Sequence, residues 1–420
     1  MKILWFSNTC ANASDYLNDN FVRGGWLQSL DKLLQDKVEL HVAFYYHKLD
    51  SSFKYGNTTY HPINPLNWKS QRILNHLLNR VVDQEDLKYY LDIIDRVKPD
   101  LIHIHGTENS FHCLINKVNI PVVVSIQGII TACLNKFTSG IELNYLSLYS
   151  FNLKGGLKSL FFASSFKTER KLSVQRSMYE LRDLKNCRYM IGRTDWDRRV
   201  TSILAPGRNY YHNDEMLRDI FYKEKWTLPL NKDKLVILSI AGDSPSKGFE
   251  TICESIYELK QSGFTNFEWM VAGISESDLI VKIVKKKLKR KYPKSGLLLL
   301  GTINESLLID KFKVAHLFVS ASYIENSSNS LCEAMMLGMP CIATCVGGTS
   351  SLLRDKTEGI LIQEGDPWSM AGAILELFKN TDKAVEYGNN ARKRASIRHD
   401  KNKIVSDLIS IYHSVTNLPY

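Results

Sequence analysis

The chain has 420 residues, with 54 Lys and Arg against 44 Asp and Glu, a formal net charge of +10, and 44% hydrophobic residues. That length exceeds one core of ordinary size and fits two domains of roughly 200 residues each, so two lobes with a cleft between them are expected. No apolar run approaches the ~18 residues that span a bilayer, the scattered cysteines suit neither a disulfide framework nor a zinc site, and the positive balance favours an anionic partner.

Apolar runs and helical stretches alternate throughout, the signature of parallel sheets wound on both faces, so the expected class is α/β. Residues 1–8 are too short and too soon polar for a signal peptide, and a first strand is expected over 2–7. After a polar loop, Arg23-Gly24-Gly25-Trp26-Leu27 opens an amphipathic helix with Leu27, Leu30, Leu33 and Leu34 as its apolar positions. Gly24 and Gly25 let the backbone approach a ligand and leave helix N-terminal amides open to phosphate oxygens.

Strands follow at 38–44 and 100–105, and in the latter His103 and His105 share one face. His103 reads as a packed or bonded histidine, and His105 ends the strand at the cleft edge. The strand 122–127 ends in Gln127-Gly128, where glutamine can hydrogen-bond a sugar but exchanges no proton. Leu153, Leu157, Leu160 and Phe161 fall at helical spacing beside Lys154 and Lys158, with Phe162, Phe166, Lys167, Arg170 and Lys171 following. They suit either an anionic bilayer surface or a packed amphipathic helix interrupted by Gly155-Gly156. After a strand at 189–192, Arg193 is placed as a cleft contact, while Thr194-Asp195-Trp196-Asp197 reads as a helix cap rather than a metal–diphosphate motif.

The aperiodic, Pro- and aromatic-rich stretch before residue 230 is read as an interdomain linker, 206–232, between a first domain at 1–205 and a second at 233–400. The second domain's strands are expected at 235–241, 267–272, 296–300, 317–320, 340–344 and 359–363. The first leads to Gly242-Asp243-Ser244-Pro245-Ser246-Lys247-Gly248, a loop that ends at a helix N-terminus and offers Lys247 to a diphosphate as a point charge. The basic run from Lys282 to Lys294 sets Leu279, Ile283, Val284 and Leu288 at core spacing, so its lysines read as a solvated face. Residues 401–420 form a closing helix, centred on 403–415.

The densest signal is Glu325-Asn326-Ser327-Ser328-Asn329-Ser330-Leu331-Cys332-Glu333, between a buried strand and Gly338-Met339-Pro340. It sets a Ser/Asn-rich loop at a strand's C-terminal end and a helix's N-terminal end, where free amides and the helix dipole suit a diphosphate. Glu325 in the loop then lies near a sugar on that phosphate, and Glu333 inside the helix can hold two vicinal hydroxyls. Glu-x7-Glu, followed by Ala334-Met335, Gly338-x-Pro340 and Val346-Gly347-Gly348, resembles the retaining glycosyltransferases of family 4.

That resemblance implies the GT-B fold, two Rossmann-like doubly wound domains facing across a cleft, with residues 401–420 returning to the first. It implies donor contacts at Gly24, Gly25, Arg193, Lys247, Asn326, Ser327, Ser328, Asn329, Ser330 and Glu333, catalytic roles for Glu325, Lys247 and His105, and an acceptor contact at Gln127. No cofactor and no obligatory metal are implied, a nucleoside-diphosphate sugar being the co-substrate. The family usually sets an arginine before its Lys-Gly, where this chain has Ala241 or Gly242, and many members have His-Gly where it has Gln127-Gly128.

The expected activity is therefore transfer of a sugar to a glycan, a lipid-linked oligosaccharide of a surface polysaccharide such as capsule or O-antigen. The expected place is the cytoplasm, peripherally on the inner face of the plasma membrane. A nucleotide-sugar epimerase of the same fold and a weakened nucleotide-sugar-binding protein are the alternatives, the latter motivated by Ala241, Gly242 and Gln127. Nucleic acid is not expected as a partner, because no helix-turn-helix, zinc or RNA-binding signature accompanies the charge.

Overall fold

The computed structural model describes residues 1–17, 25–65, 78, 81, 86–146, 166–230 and 234–417. The chain divides into two compact units: Met1–Leu134, Thr168–Arg218 and His399–Tyr420 form the first, and Asn135–Lys167 with Asp219–Arg398 the second. The described residues 135–146, early in the chain, thus belong to the second unit.

In the first unit β1 (Lys2–Ser7), β2 (Glu39–Tyr45), β3 (Phe53–Tyr55), β4 (Thr58–Ile63), β5 (Leu101–His105), β6 (Val122–Ser125), β7 (Tyr189–Gly192) and β8 (Asn209–His212) make one eight-stranded sheet. Its order is β3-β4-β2-β1-β5-β6-β7-β8, parallel except where β3 turns back on β4. Successive side chains of a strand point to opposite faces, so β1 supplies two cores. Ile3 and Trp5 join Leu27, Leu30 and Leu34 of the helix Trp26–Leu34 and Ile404, Leu408 and Tyr412 of the closing helix Lys401–Thr416. Leu4 and Phe6 join Tyr90, Ile93 and Val97 of the helix Leu87–Val97 on the opposite face. The Trp5 indole N–H donates to the Tyr412 hydroxyl at 3.0 Å, which anchors the closing helix to the central strand.

Asp31 fixes the helix that begins after Gly25. Its buried carboxylate accepts from the Thr58 and Tyr60 hydroxyls, each at 2.6 Å, and from the Asn12 amide at 3.1 Å. A carboxylate taken out of water needs several donors, and these tie the helix to β4 and to the loop after β1.

The second unit has β9 (Leu235–Ile240), β10 (Phe267–Ala272), β11 (Leu297–Gly301), β12 (Leu317–Ser320), β13 (Cys341–Thr344) and β14 (Gly359–Ile362), all parallel, in the order β11-β10-β9-β12-β13-β14. Leu235 and Ile237 pack with Phe249, Ile252 and Ile256 of the helix Phe249–Gln261 and with Met370 and Ile374 of the helix Pro367–Lys379. Phe318 of β12 meets Phe312, which in turn meets Phe221 edge-on at 5.8 Å. In the helix Leu279–Leu288, Ile283, Val284 and Leu288 are buried while Lys282, Lys285 and Lys286 are exposed.

Among the parallel strands of each sheet the chain order reverses once, between β1 and β5 in the first, where the edge hairpin β3-β4 is set aside, and between β9 and β12 in the second. Loops leaving the strand ends at such a reversal diverge to opposite faces and open a crevice, the usual ligand position in wound α/β sheets.

Three short strands depart from the sequence reading. β3, β4 and β8 lie at or near the sheet edges, and β8 pairs with β7 inside the stretch read as linker. Later in that stretch, Trp226 is buried, its amide donating to Leu337 O and its indole to Ala315 O, each at 2.8 Å. β6 ends at Ser125, so Gln127 and Gly128 stand beyond the strand.

Candidate functional site

The reversal in the second sheet sets the loop after β9 against the loop after β12. The first runs through Gly242 and a single 3-10 turn, Pro245–Lys247, to Gly248, whose φ of 68° lies in the left-handed region. A Cβ on Gly248 would fall 2.0 Å from the carbonyl oxygen of Ala321, so only glycine lets the two loops close to this distance. The Tyr323 amide then donates to Ser246 O at 2.8 Å, stapling one loop to the other.

Closure brings two of the expected site residues together. Lys247 Nζ donates to Glu325 Oε1 at 2.5 Å, and the Ser322 hydroxyl donates to the same oxygen at 2.7 Å. Lys247 keeps 35% of its side chain exposed and Glu325 14%, so the pair is reachable from solvent but partly dried. A third loop holds the Glu325 backbone. Gly348 N donates to Glu325 O at 2.9 Å, and a Cβ on Gly347 would lie 2.0 Å from that oxygen. The Val346-Gly347-Gly348 sequence therefore has a local reason: it admits the carbonyl of the site glutamate.

Beyond Glu325, Asn326 and Ser328 are buried, and Ser328 is the N-cap of the helix Asn329–Leu337, with its hydroxyl 3.2 Å from that of Ser330. Ser327 lies between them and Asn329 is exposed. Glu333 sits in the second turn and is buried, and the helix ends at Gly338 with φ 88°. Loop, helix start and buried carboxylate thus follow one another within residues 325–333. Asp366, by contrast, is a plain helix cap, accepting from Ser369 N at 3.0 Å, and Glu358 is paired with Arg354.

In the first unit Gly25 caps the helix Trp26–Leu34 with φ 60°, and Gly24 lies outside the described residues. The Arg193 guanidinium stacks 4.3 Å over the Trp26 ring, with its Nε 3.6 Å from Glu215 Oε2. His105 is fully buried, edge-on to Trp5 and to Trp26, and burial holds its imidazole well below the usual histidine range, so it stays neutral. His103 faces the Tyr412 hydroxyl at 2.7 Å and the Ser125 hydroxyl at 2.6 Å, and burial lowers its pKa to about 3. Thr194 and Asp197 form a reciprocal capping box, with Asp197 also accepting from the Arg193 amide at 2.9 Å and the Tyr210 hydroxyl at 2.6 Å. That is the cap reading of Asp-x-Asp.

Two residues at the first sheet's reversal went unread in the sequence. Glu108 accepts from the Gly128 amide at 2.9 Å and from Asn8 Nδ2 at 3.1 Å, joining the loops after β1, β5 and β6 beside Gln127. The available signal was positional: a polar residue just beyond the C-terminal end of each inner strand. The amphipathic run at Leu153, Lys154, Leu157, Lys158, Leu160, Phe161 and Phe162 lies outside the described residues.

Residues 221–394 match the family described as glycosyl transferases group 1. An uncharacterized glycosyltransferase of Methanocaldococcus jannaschii is 24% identical over 187 residues, 44% of this chain and 47% of that relative, so the chain spans about half of its length. Among solved structures, sucrose-phosphate synthase from Thermosynechococcus elongatus superposes with a TM-score of 0.70 at 14% identity, covering 99% of each chain. HepE of Anabaena, solved with UDP and glucose, superposes with a TM-score of 0.62 at 15% identity, covering 99% of this chain and 100% of that one. The fold is GT-B, with two Rossmann-like doubly wound α/β units.

Proposed function

We propose, from the glycosyl transferases group 1 match over residues 221–394, that this chain is an enzyme moving a sugar from a nucleoside-diphosphate sugar to an acceptor with retention at the anomeric carbon. The observation that carries the reading is the Lys247–Glu325 pair, held at 2.5 Å by loops that diverge at the strand-order reversal of the matched unit. HepE of Anabaena, solved with UDP and glucose, supports a nucleotide sugar as the ligand class.

The diphosphate lies against the start of the helix Asn329–Leu337, where the first amides and the dipole favour negative charge. Asn326, Ser327, Ser328 and Ser330 line its path, and Glu333 takes the ribose hydroxyls. Without donor, Lys247 is neutralised by Glu325. An arriving diphosphate competes for the ammonium and leaves Glu325 free to accept hydrogen bonds from the sugar.

A departing nucleoside diphosphate is already a stable anion, so the reaction requires oriented cations and amides more than a strong acid. An oxocarbenium-like state forms as the glycosidic bond to phosphate breaks, and a donor phosphate oxygen takes the acceptor's proton on the same face. No divalent metal is needed in this scheme, and turnover should persist in excess EDTA. We assign the acceptor to a lipid-linked glycan of a surface polysaccharide, with Gln127 among its contacts, and the site of action to the inner face of the plasma membrane, supported by the net charge of +10.

Purified protein given labelled nucleotide sugars with and without lipid-linked acceptors tests the reading. Acceptor-dependent nucleotide release with an α-configured product from an α-donor supports it, whereas an isomerised free sugar nucleotide would mean epimerisation. A second reading, donor binding without turnover, is favoured by Gly242, whose Cα faces open space within 4 Å where an arginine is usual in the resembled family.

A further inference from the structure

Among the buried acids that take no part in this scheme, Glu250 stands nearest in sequence to Lys247. Glu250 lies in the first turn of the helix Phe249–Gln261, three positions after Lys247, and is 1% exposed. Among the described residues neither carboxyl oxygen has a hydrogen bond of ordinary geometry, although the Tyr323 hydroxyl lies beside them. That hydroxyl is 3.2 Å from Thr251 Oγ1.

The box around this contact is closed by backbone. A Cβ on Gly140 would fall 1.7 Å from Glu250 Oε1 and 2.6 Å from Tyr323 Oη, and one on Gly365 would lie 3.1 Å from the same hydroxyl. Lys287 Nζ holds the Gly140 carbonyl at 2.6 Å, and Lys136 holds Glu364 at 2.8 Å, so the segment around Gly140 is clamped at both ends. Tyr323 is meanwhile the residue whose amide staples the two site loops, two positions before Glu325.

We propose that Glu250 is a positioning residue for Glu325: its carboxyl, acting through the Tyr323 hydroxyl, sets the turn 322–325 against Ser246 and Lys247. In the neutral form the carboxyl fits the closed box. In the ionised form it must draw in water or push Tyr323 away, and the displacement passes along two residues to Glu325. The groups facing it are Tyr323 from the loop after β12, Lys287 from the helix Leu279–Leu288, and Glu254 and Cys253 on its own helix. Burial lifts the Glu250 pKa to about 7, with Lys287 pulling it down and Glu254 pushing it up. The turn is therefore expected to tighten below neutral pH and loosen above it.

The consequence for turnover rests on the proposed function, while the positioning itself is read without turnover. Amide hydrogen exchange over residues 322–326, corrected for intrinsic rates, is compared between wild type and Glu250→Gln from about pH 6 to about pH 8.5. Wild type should lose protection about threefold or more across neutrality, and Glu250→Gln should show no such step, because the amide cannot ionise. Tyr323→Phe, which keeps the ring, should also abolish the step. Identical pH courses in wild type and Glu250→Gln overturn the proposal, as does a wild-type course with no step. If the exchange step is present but no nucleotide sugar is turned over, the positioning stands and the transferase reading fails. If transfer is seen, the donor KM of wild type should rise above neutrality and that of Glu250→Gln should not.

Discussion

Gly248 faces the carbonyl oxygen of Ala321 so closely that a methyl group there would sit 2.0 Å away, and that contact is what lets Lys247 reach Glu325. The site is thus set by a backbone-to-backbone approach between two loops, each fixed by a strand of the same sheet.

Replacement of Gly248 by alanine should therefore act on stability and on the site together. The residue would meet both a left-handed φ of 68° and a carbonyl clash, a cost on the order of 1–3 kcal/mol or more. Gly207, with nothing within 4 Å of its would-be Cβ, is the control. Gly207→Ala should stay within about 0.5 kcal/mol of wild type in urea denaturation.

Lys247→Ala and Glu325→Gln should lower turnover by about 100-fold or more while changing donor affinity far less, since both act where charge develops. Glu333→Ala should do the reverse, weakening nucleotide binding by about tenfold or more with a smaller effect on bound turnover. Steady-state kinetics with donor titrations separates the two patterns. Equal effects on KM and kcat in all three variants would remove the division of labour.

Gly242 has ordinary backbone geometry and open space at its Cα, so an arginine can be placed there without repacking. A second cation near the loop of Lys247 should tighten nucleoside-diphosphate binding by about tenfold, the scale of one charge-assisted hydrogen bond. Unchanged or weaker binding by Gly242→Arg in calorimetry would show that the loop directs this position away from the ligand.

Glu250 predicts a pH dependence of stability whose sign follows from its raised pKa. Its ordinary value is 4.5 and in the fold it is about 7, so the folded state holds its proton more tightly than the unfolded state. The associated stability is fully present below pH 4.5, declines as pH rises, and is lost by pH 7. At 1.36 kcal/mol per unit the total change is roughly 3 kcal/mol. The wild-type minus Glu250→Gln difference in unfolding free energy should trace that decline between about pH 4.5 and 7 and be flat above it. A difference independent of pH would place the ionisation elsewhere.

Much of this site is local and could be read from residues in order. The loop 325–330, its helix and Gly338 follow from an apolar strand, a serine at the N-cap position and a left-handed C-cap, all within one short segment. The same holds for Thr194 as a cap and for His103 as a bonded core residue. Pairings between distant segments were not legible. Lys247 and Glu325 are 78 residues apart, and the ion pair between them depends on strand order. Glu250 reads as an acid in a helix's first turn, favoured there by the dipole and ordinarily solvated. Gly140 approaches its carboxyl and Gly365 the Tyr323 hydroxyl beside it, and no spacing rule connects either glycine to it. The missed strands β3, β4 and β8 share a cause: short segments near an edge with polar residues, as in Asn209–His212, where no run of apolar residues marks them.

The central claim, that Lys247, Glu325 and Glu333 hold a nucleoside-diphosphate sugar, is tested most directly by titration calorimetry of the purified protein against a panel of such sugars in excess EDTA, beside Lys247→Ala and Glu333→Ala. The account predicts saturable one-site binding of at least one donor by wild type and weaker binding in both Glu333→Ala and Lys247→Ala, the latter by about tenfold and so far less than its loss of turnover. Binding of none of the donors by folded wild type, or equal affinity in Glu333→Ala, would contradict it.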